Sequence, residues 1–293
     1  TKQLPLRVGA GHYDIALFPA IAEYARPAPK MSQSFRVFWQ PGCSSCLKAK
    51  EFLAEHGIAF DSVNVLADEG GLAALQALGA QSVPVVSQGN NFVFAQNLGD
   101  LADFVGVARI GGALSVAELV ERIDRVLAVA QSHAGQLPLD VLNTKLPGRD
   151  RTYLDLGYHV FVIAEAFLVA ANGGTLTFDL FERRPPGSIA DGDQVASYGQ
   201  TVRDAFREWW QSTDSGAILP DHLDTYYGAQ STPDLLERTA WHSAQHTRQL
   251  AEVLRNLNIV LDDELTNNDL RGLPLPNHVY DDEVSLAAET PND

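Results

Sequence analysis

Sulfur and positive charge are both scarce in this chain of 293 residues. There are two cysteines, Cys43 and Cys46, and one methionine, Met31. A single close pair of cysteines cannot frame a fold, which excludes the disulfide-stapled class of small secreted domains. Lysine and arginine number 21 against 37 aspartates and glutamates, a formal net charge of -16. No Lys/Arg cluster runs along the sequence. Nucleic acids and anionic membrane surfaces both demand a basic face, so neither is an expected partner. Long apolar runs are missing as well: the longest, residues 160–171, is interrupted by Glu165 and falls short of the roughly 20 residues that cross a bilayer. The opening TKQLPLRVGAGHYDIALFPAI lacks a charged start, an unbroken apolar stretch and a small-residue cleavage site. No secretory signal is read there, and the expected location is cytoplasmic. No internal repeat is present.

What remains is an ordinary globular mix, 45% hydrophobic and 20% charged, long enough for two domains. The first 34 residues are poorly periodic and are read as an N-terminal extension. From Phe35 the pattern sharpens. FRVFW is a β-rich run, QPGCSSC a turn, and LKAKEFLAEHG a helix with Leu47, Phe52 and Leu53 on one face, stopped at Gly57. AFDSVNV follows as a strand, GGLAALQALG as a helix, SVPVVSQGNNFVFA as two strands about a turn, and LGDLADFVG as a closing helix. The order βαβαββα over residues 35–107 describes an α/β domain. After Gly112 the strands are expected to stop. Helices are expected over 115–134, with a capping box from Ser115 to Glu118, and over 151–172, 194–212 and 231–258, the last with Pro233 in its first turn. Four such helices, within residues 113–260, make a bundle. The tail, 261–293, is rich in Pro, Asn and Asp and is expected to wrap or fray.

Cys43 and Cys46 lie between a strand and a helix. That placement puts Cys43 at a helix N-terminus, where free backbone N–H groups and the dipole stabilise a thiolate. Cys43 is then the attacking sulfur, and Cys46, one turn on, resolves the mixed disulfide. Half of a zinc site, with His56 nearby, or two inert thiols are the competing readings. With Ser82-Val83-Pro84 ahead of the next strand, which looks like the cis-proline loop of the thioredoxin superfamily, residues 35–107 resemble glutaredoxin along their whole length. The resemblance implies thiol–disulfide exchange, with Ser82, Val83 and Pro84 presenting a backbone edge to glutathione or a peptide, and Asp100 completing the glutathione site. There are departures. Gln40 stands where a lysine is usual, Ser44 and Ser45 fill the CxxC, and the family's paired glycines before Asp100 are absent.

His242 and His246, in WHSAQHTRQL, stand four apart. On a helix they differ by about 40° around the axis, so one ion can meet both. The bland alternative is one core histidine and one exposed. His159, within YHVFVI, sits on a helix apolar nearly all round, and a buried imidazole needs a partner. These two stretches resemble the DinB/YfiT family of metal-binding four-helix bundles. The resemblance implies that His159, His242 and His246 form a facial metal site with open coordination positions, suited to a divalent metal, zinc first, with nickel, iron or manganese also compatible. Trp241, Arg248 and Glu165 are candidate neighbours, with packing or solvated surface as the alternative for each. His12, His56, His133, His222 and His278 show no ligand spacing.

The fold expected is therefore α/β plus all-α: a thioredoxin-fold glutaredoxin-like domain followed by an up-down, DinB-like four-helix bundle. Several bundles of this kind resemble thiol-dependent transferases, in which the metal activates a small thiol. The function expected is a glutathione-linked thiol-disulfide oxidoreductase and metal-dependent thiol transferase. Its partners would be a small thiol such as glutathione and a small-molecule or protein mixed disulfide, with a homodimer left open. The alternatives are a plain disulfide reductase whose bundle is a binding module, and a metal or redox sensor without turnover.

Overall fold

The computed structural model describes residues 34–108, 114–147, 149–214 and 219–281. The expected N-terminal extension, but for its last residue, and the end of the tail from 282 on lie outside the described residues.

The first half is built as β1 (Phe35–Trp39), α1 (Ser44–Glu55), β2 (Phe60–Asn64), α2 (Gly71–Ala77), β3 (Val85–Gln88), β4 (Asn91–Phe94) and α3 (Leu98–Val105). The sheet order is β2-β1-β3-β4. β1 runs parallel to β2, and β3 is antiparallel to both β1 and β4. Successive strand residues point to opposite faces, so β1 feeds two cores. Val37 joins Phe52, Leu53 and Leu101 beneath α1 and α3, whereas Phe38 joins Val63, Leu75 and Val85 beneath α2. This is the thioredoxin-like arrangement.

The second half contains α4 (Val116–Gly135), α5 (Tyr153–Ala171), β5 (Thr175–Leu176), α6 (Phe178–Phe181), α7 (Gly192–Asp214), β6 (His222–Thr225), β7 (Gly228–Ser231), α8 (Thr232–Asn256) and α9 (Asn267–Leu270). The Ser115–Glu118 capping box closes the start of α4, and Ser231 caps α8 with Pro233 in its first turn. α4 and α5 each pack against both α7 and α8. α5 is long and apolar enough to cross a membrane by length and composition, yet it is the core helix here, with 78% of that apolar window buried. Phe161 and Phe167 from α5 and Phe206 from α7 are fully or almost fully buried. Truncating any of them to alanine would cost about 3–5 kcal/mol. Gly199 lets α7 approach, since a Cβ there would lie 2.5 Å from the Phe161 ring.

Strands do not stop after Gly112. β5, β6 and β7 form a second sheet in that order. β6 and β7 are a hairpin of four residues each, with mostly polar side chains and only Leu223, Thr225 and Gln230 turned fully inward. Strands so short and polar leave no apolar alternation in the sequence. The tail wraps as far as it is described. Asn277 N donates to Glu51 at 2.7 Å, His278 meets the same carboxylate at 2.9 Å, and Asp281 pairs with Lys50.

Candidate functional site

Pro41 and Gly42 turn the chain between β1 and α1, with Gly42 at φ +68. Cys43 is the N-cap of α1, and its sulfur accepts from the backbone N–H of Cys46 at 3.2 Å. The two cysteines are joined as a disulfide with Cα atoms 5.2 Å apart. They differ in access. Cys43 is half-buried and lines a cavity, whereas Cys46 is 1% exposed and does not. A sulfur at a helix N-terminus and open to a cavity has both the electrostatics and the reach to attack. The Val83–Pro84 peptide is cis. Ser82 and Val83 line the same cavity, while Pro84 does not. Gln96, in the segment where the family's glycines would lie, donates to the Val83 carbonyl at 3.3 Å. Asp100 lies outside the cavity lining and accepts from Gln230 of β7 at 3.2 Å.

His159 on α5 and His242 and His246 on α8 come together. One ligand atom from each lies within 4.8 Å of the others. His242 Nε2 and His246 Nε2 are 3.1 Å apart, a separation that two donors bound to one ion at roughly 2.0–2.1 Å can adopt. Gln249 orients one ring. Its amide nitrogen donates to the Val279 carbonyl at 3.1 Å, which leaves its oxygen to accept from His246 Nδ1 at 2.7 Å. His246 Nε2 therefore carries a lone pair toward the other rings. His159 Nδ1 and His242 Nδ1 are buried with no hydrogen-bond partner, a costly state for polar atoms. Burial holds all three histidines well below the ordinary value, with charge from Arg151 adding to the effect at His159 and His246, and charge from His246 at His242. The rings are thus neutral at neutral pH, the form that binds metals. Three neutral imidazoles, each offering one nitrogen to a common point, fit a divalent ion.

The three suggested neighbours of the histidines go elsewhere or play another part. Glu165 binds Arg183 and, at 2.6 Å, Tyr198. Arg248 donates to the carbonyl of Pro276 at 2.9 Å and holds the tail. Trp241 is a packing residue whose ring stacks on His242 with centroids 5.3 Å apart.

The two centres share one space. A cavity of roughly 150 Å³ is lined by Cys43, Ser82 and Val83 from the first half and by all three histidines from the second. Arg149, Arg151, Arg238 and Glu182 complete its charged lining. None of these four was singled out from the sequence. Arg149 and Arg151 sit on a loop closed by backbone bonds from Leu146 N to the Arg151 carbonyl at 2.8 Å and from Tyr153 N to the Thr144 carbonyl at 3.0 Å. Burial lowers the pKa of Arg149, and that of Arg151 to about 9. Arg238 had a legible signal: it stands four residues before His242, hence on the same helix face. The other two arginines come from a different part of the chain, and folding gathers the basic cluster that is absent along the sequence.

A family model described as Glutaredoxin matches residues 35–93, and one described as DinB superfamily matches residues 107–250. No curated protein and no solved structure matches the chain.

Proposed function

The chain joins a glutaredoxin domain to a DinB superfamily domain, and from that premise we propose that its redox pair and its histidine cluster act on one small thiol held between them. The observation that carries this reading is the common lining: Cys43 and the three histidines face a single cavity. In the reduced protein, the Cys43 thiolate attacks a mixed disulfide of glutathione or a similar thiol. A Cys43–glutathione disulfide forms and the other thiolate leaves. Cys46 then attacks Cys43 Sγ, closing the Cys43–Cys46 disulfide and releasing glutathione as thiolate, and two further molecules of thiol restore the dithiol. Ser82 and Val83 flank the path of the incoming disulfide.

His159, His242 and His246 would hold a divalent metal, zinc by ligand type, with nickel, iron or manganese compatible. When bound, the metal supplies a deprotonated thiol at neutral pH. The chain's own residues keep the three rings neutral through burial, fix the His246 tautomer through Gln249, and place Cys43 where the same thiol can be captured or released. The activity proposed is thus a disulfide reductase coupled to thiol transfer.

The test is metal content by mass spectrometry together with two assays, reduction of a glutathione mixed disulfide and glutathione consumption with a panel of small electrophiles. About one metal per chain, with electrophile-dependent consumption that His242→Ala abolishes while disulfide reduction survives, is the expected result. A metal-free protein, or transfer unchanged in His242→Ala, would overturn the coupled reading and leave a disulfide reductase with a binding module.

A further inference from the structure

Thiol chemistry leaves the charge of the cavity unexplained. Apart from Cys43, the neutral histidines and the Tyr226 phenol, its ionisable lining is Arg149, Arg151, Arg238 and Glu182. Glu182 accepts from Arg151 at 3.2 Å and lies 3.5 Å from Arg149, so one carboxylate answers two guanidiniums. Arg238 meets a neutral phenol, that of Tyr226, which burial holds protonated. The arginine is 3% exposed, its Nε is buried without a partner, and no carboxylate among the described residues pairs with it. Its guanidinium lies over the rings of Phe181 and Tyr227, 4.8 and 5.0 Å from their centroids. Two ring faces at a desolvated site offset part of the cost of burying a cation, and removing a charge from water stays costly unless a counterion replaces that water. In a chain with a formal net charge of -16, this cavity holds a positive surplus.

We propose that the cavity binds a small organic anion through its carboxylates, with Arg238 as the main countercharge and Arg149 and Arg151 beside it. A planar fork of N–H donors matches a carboxylate in two parallel bonds, which a lysine ammonium does not. Three guanidiniums and one Glu182 leave a surplus of two positive charges before any metal on the histidines is counted. The volume, roughly 150 Å³, suits a small molecule or one end of a tripeptide. The carboxylates belong either to the thiol itself or to the molecule it reacts with. The inference rests on the proposed thiol chemistry only in making this anion a substrate; the binding does not need it.

The experiment uses the full chain with Cys43→Ser and Cys46→Ser, so no turnover intervenes. Succinate, S-methylglutathione and inorganic phosphate are titrated calorimetrically at fixed ionic strength. Either carboxylate probe should bind saturably, at least tenfold more weakly after Arg238→Met, with partial recovery in Arg238→Lys and no change in the surface control Arg255→Met. Arg238→Met should also melt no lower than its parent, because it removes a buried charge that lacks a carboxylate. Should it fail to fold by circular dichroism, Arg238→Lys carries the comparison with a several-fold loss. Succinate binding places the carboxylates on the reaction partner, and binding of S-methylglutathione alone places them on the thiol; both support the site. No saturable binding of either carboxylate, phosphate binding tighter than both, or equal affinity without Arg238 overturns it. Since the probes react with nothing, such a failure leaves the disulfide chemistry standing, and a failed reductase assay leaves the anion site standing.

Discussion

Arg149 Nη1 donates to the carbonyl oxygen of Gly42 at 3.0 Å. One bond thereby ties the loop before α5 to the turn that presents Cys43. Gly42 is close enough that a Cβ would stand 3.3 Å from Arg149 Cδ. Hydrogen bonds from charged groups contribute about 1.5–3 kcal/mol. Arg149→Met should lower stability by that amount, read as a fall in the urea midpoint at constant slope. An unchanged midpoint would show that the two halves hold together without this clasp.

Cys43 and Cys46 should not be interchangeable. Cys43 faces the cavity and caps α1, whereas Cys46 is buried. Cys43→Ser is expected to abolish reduction of glutathione mixed disulfides. Cys46→Ser should still form, and trap, a single mixed disulfide with glutathione, visible as an added mass of one glutathione per chain. A dead Cys46→Ser beside an active Cys43→Ser would reverse the assignment.

Gln249 should matter to metal binding without being a ligand. It fixes the His246 ring through the 2.7 Å bond to Nδ1, and removing such outer partners costs roughly 10–100-fold in metal affinity. Competition with a chelator should show that loss in Gln249→Leu, with helical circular dichroism retained. His242→Ala, which removes a donor outright, should lose nearly all stoichiometric metal and remain folded, because the apolar bundle, not an ion, holds α5 and α8 together. Equal chelator resistance in Gln249→Leu and wild type would mean that the ring is oriented by packing alone.

His133 gives a pH dependence of defined sign. Its Nε2 donates to the Asp263 carbonyl at 2.8 Å, and its Nδ1 is buried without a partner. Burial is the main cause of a pKa below the ordinary 6.5; the Asp263 carbonyl bond and the charges of Asp263 and Glu264 oppose it, and Arg255 reinforces it. Asp263 is itself engaged by Arg125 at 2.6 Å. The unfolded chain therefore takes up this proton at higher pH than the folded one. Stability is unaffected by this group above 6.5 and falls as the pH drops below it, by at most about 1.4 kcal/mol per pH unit. His159, His242 and His246 act in the same direction, so His133→Asn should make the acid loss shallower without removing it. Denaturant midpoints between pH 7 and 5 decide the matter, and an identical slope in the variant would refute the assignment.

Local patterns carried much of this protein. The β-rich run FRVFW, the Ser115–Glu118 box and the apolar stretch of α5 each depend on neighbours within a turn or a strand, and they are legible because their physics is local. The same holds for a cysteine that caps its own helix and for two histidines one helical turn apart. The hairpin of β6 and β7 was not legible. Its strands are short and polar, and their pairing with each other and with β5 supplies what their own sequence does not. Least legible was the cavity. Cys43, His159 and Arg238 are separated by scores of residues and share no spacing, so only the docking of one half on the other brings sulfur, imidazole and guanidinium to one space. Sequence determined which groups were competent for chemistry; tertiary structure decided that they would meet, because burial sets both their neighbours and their charge states.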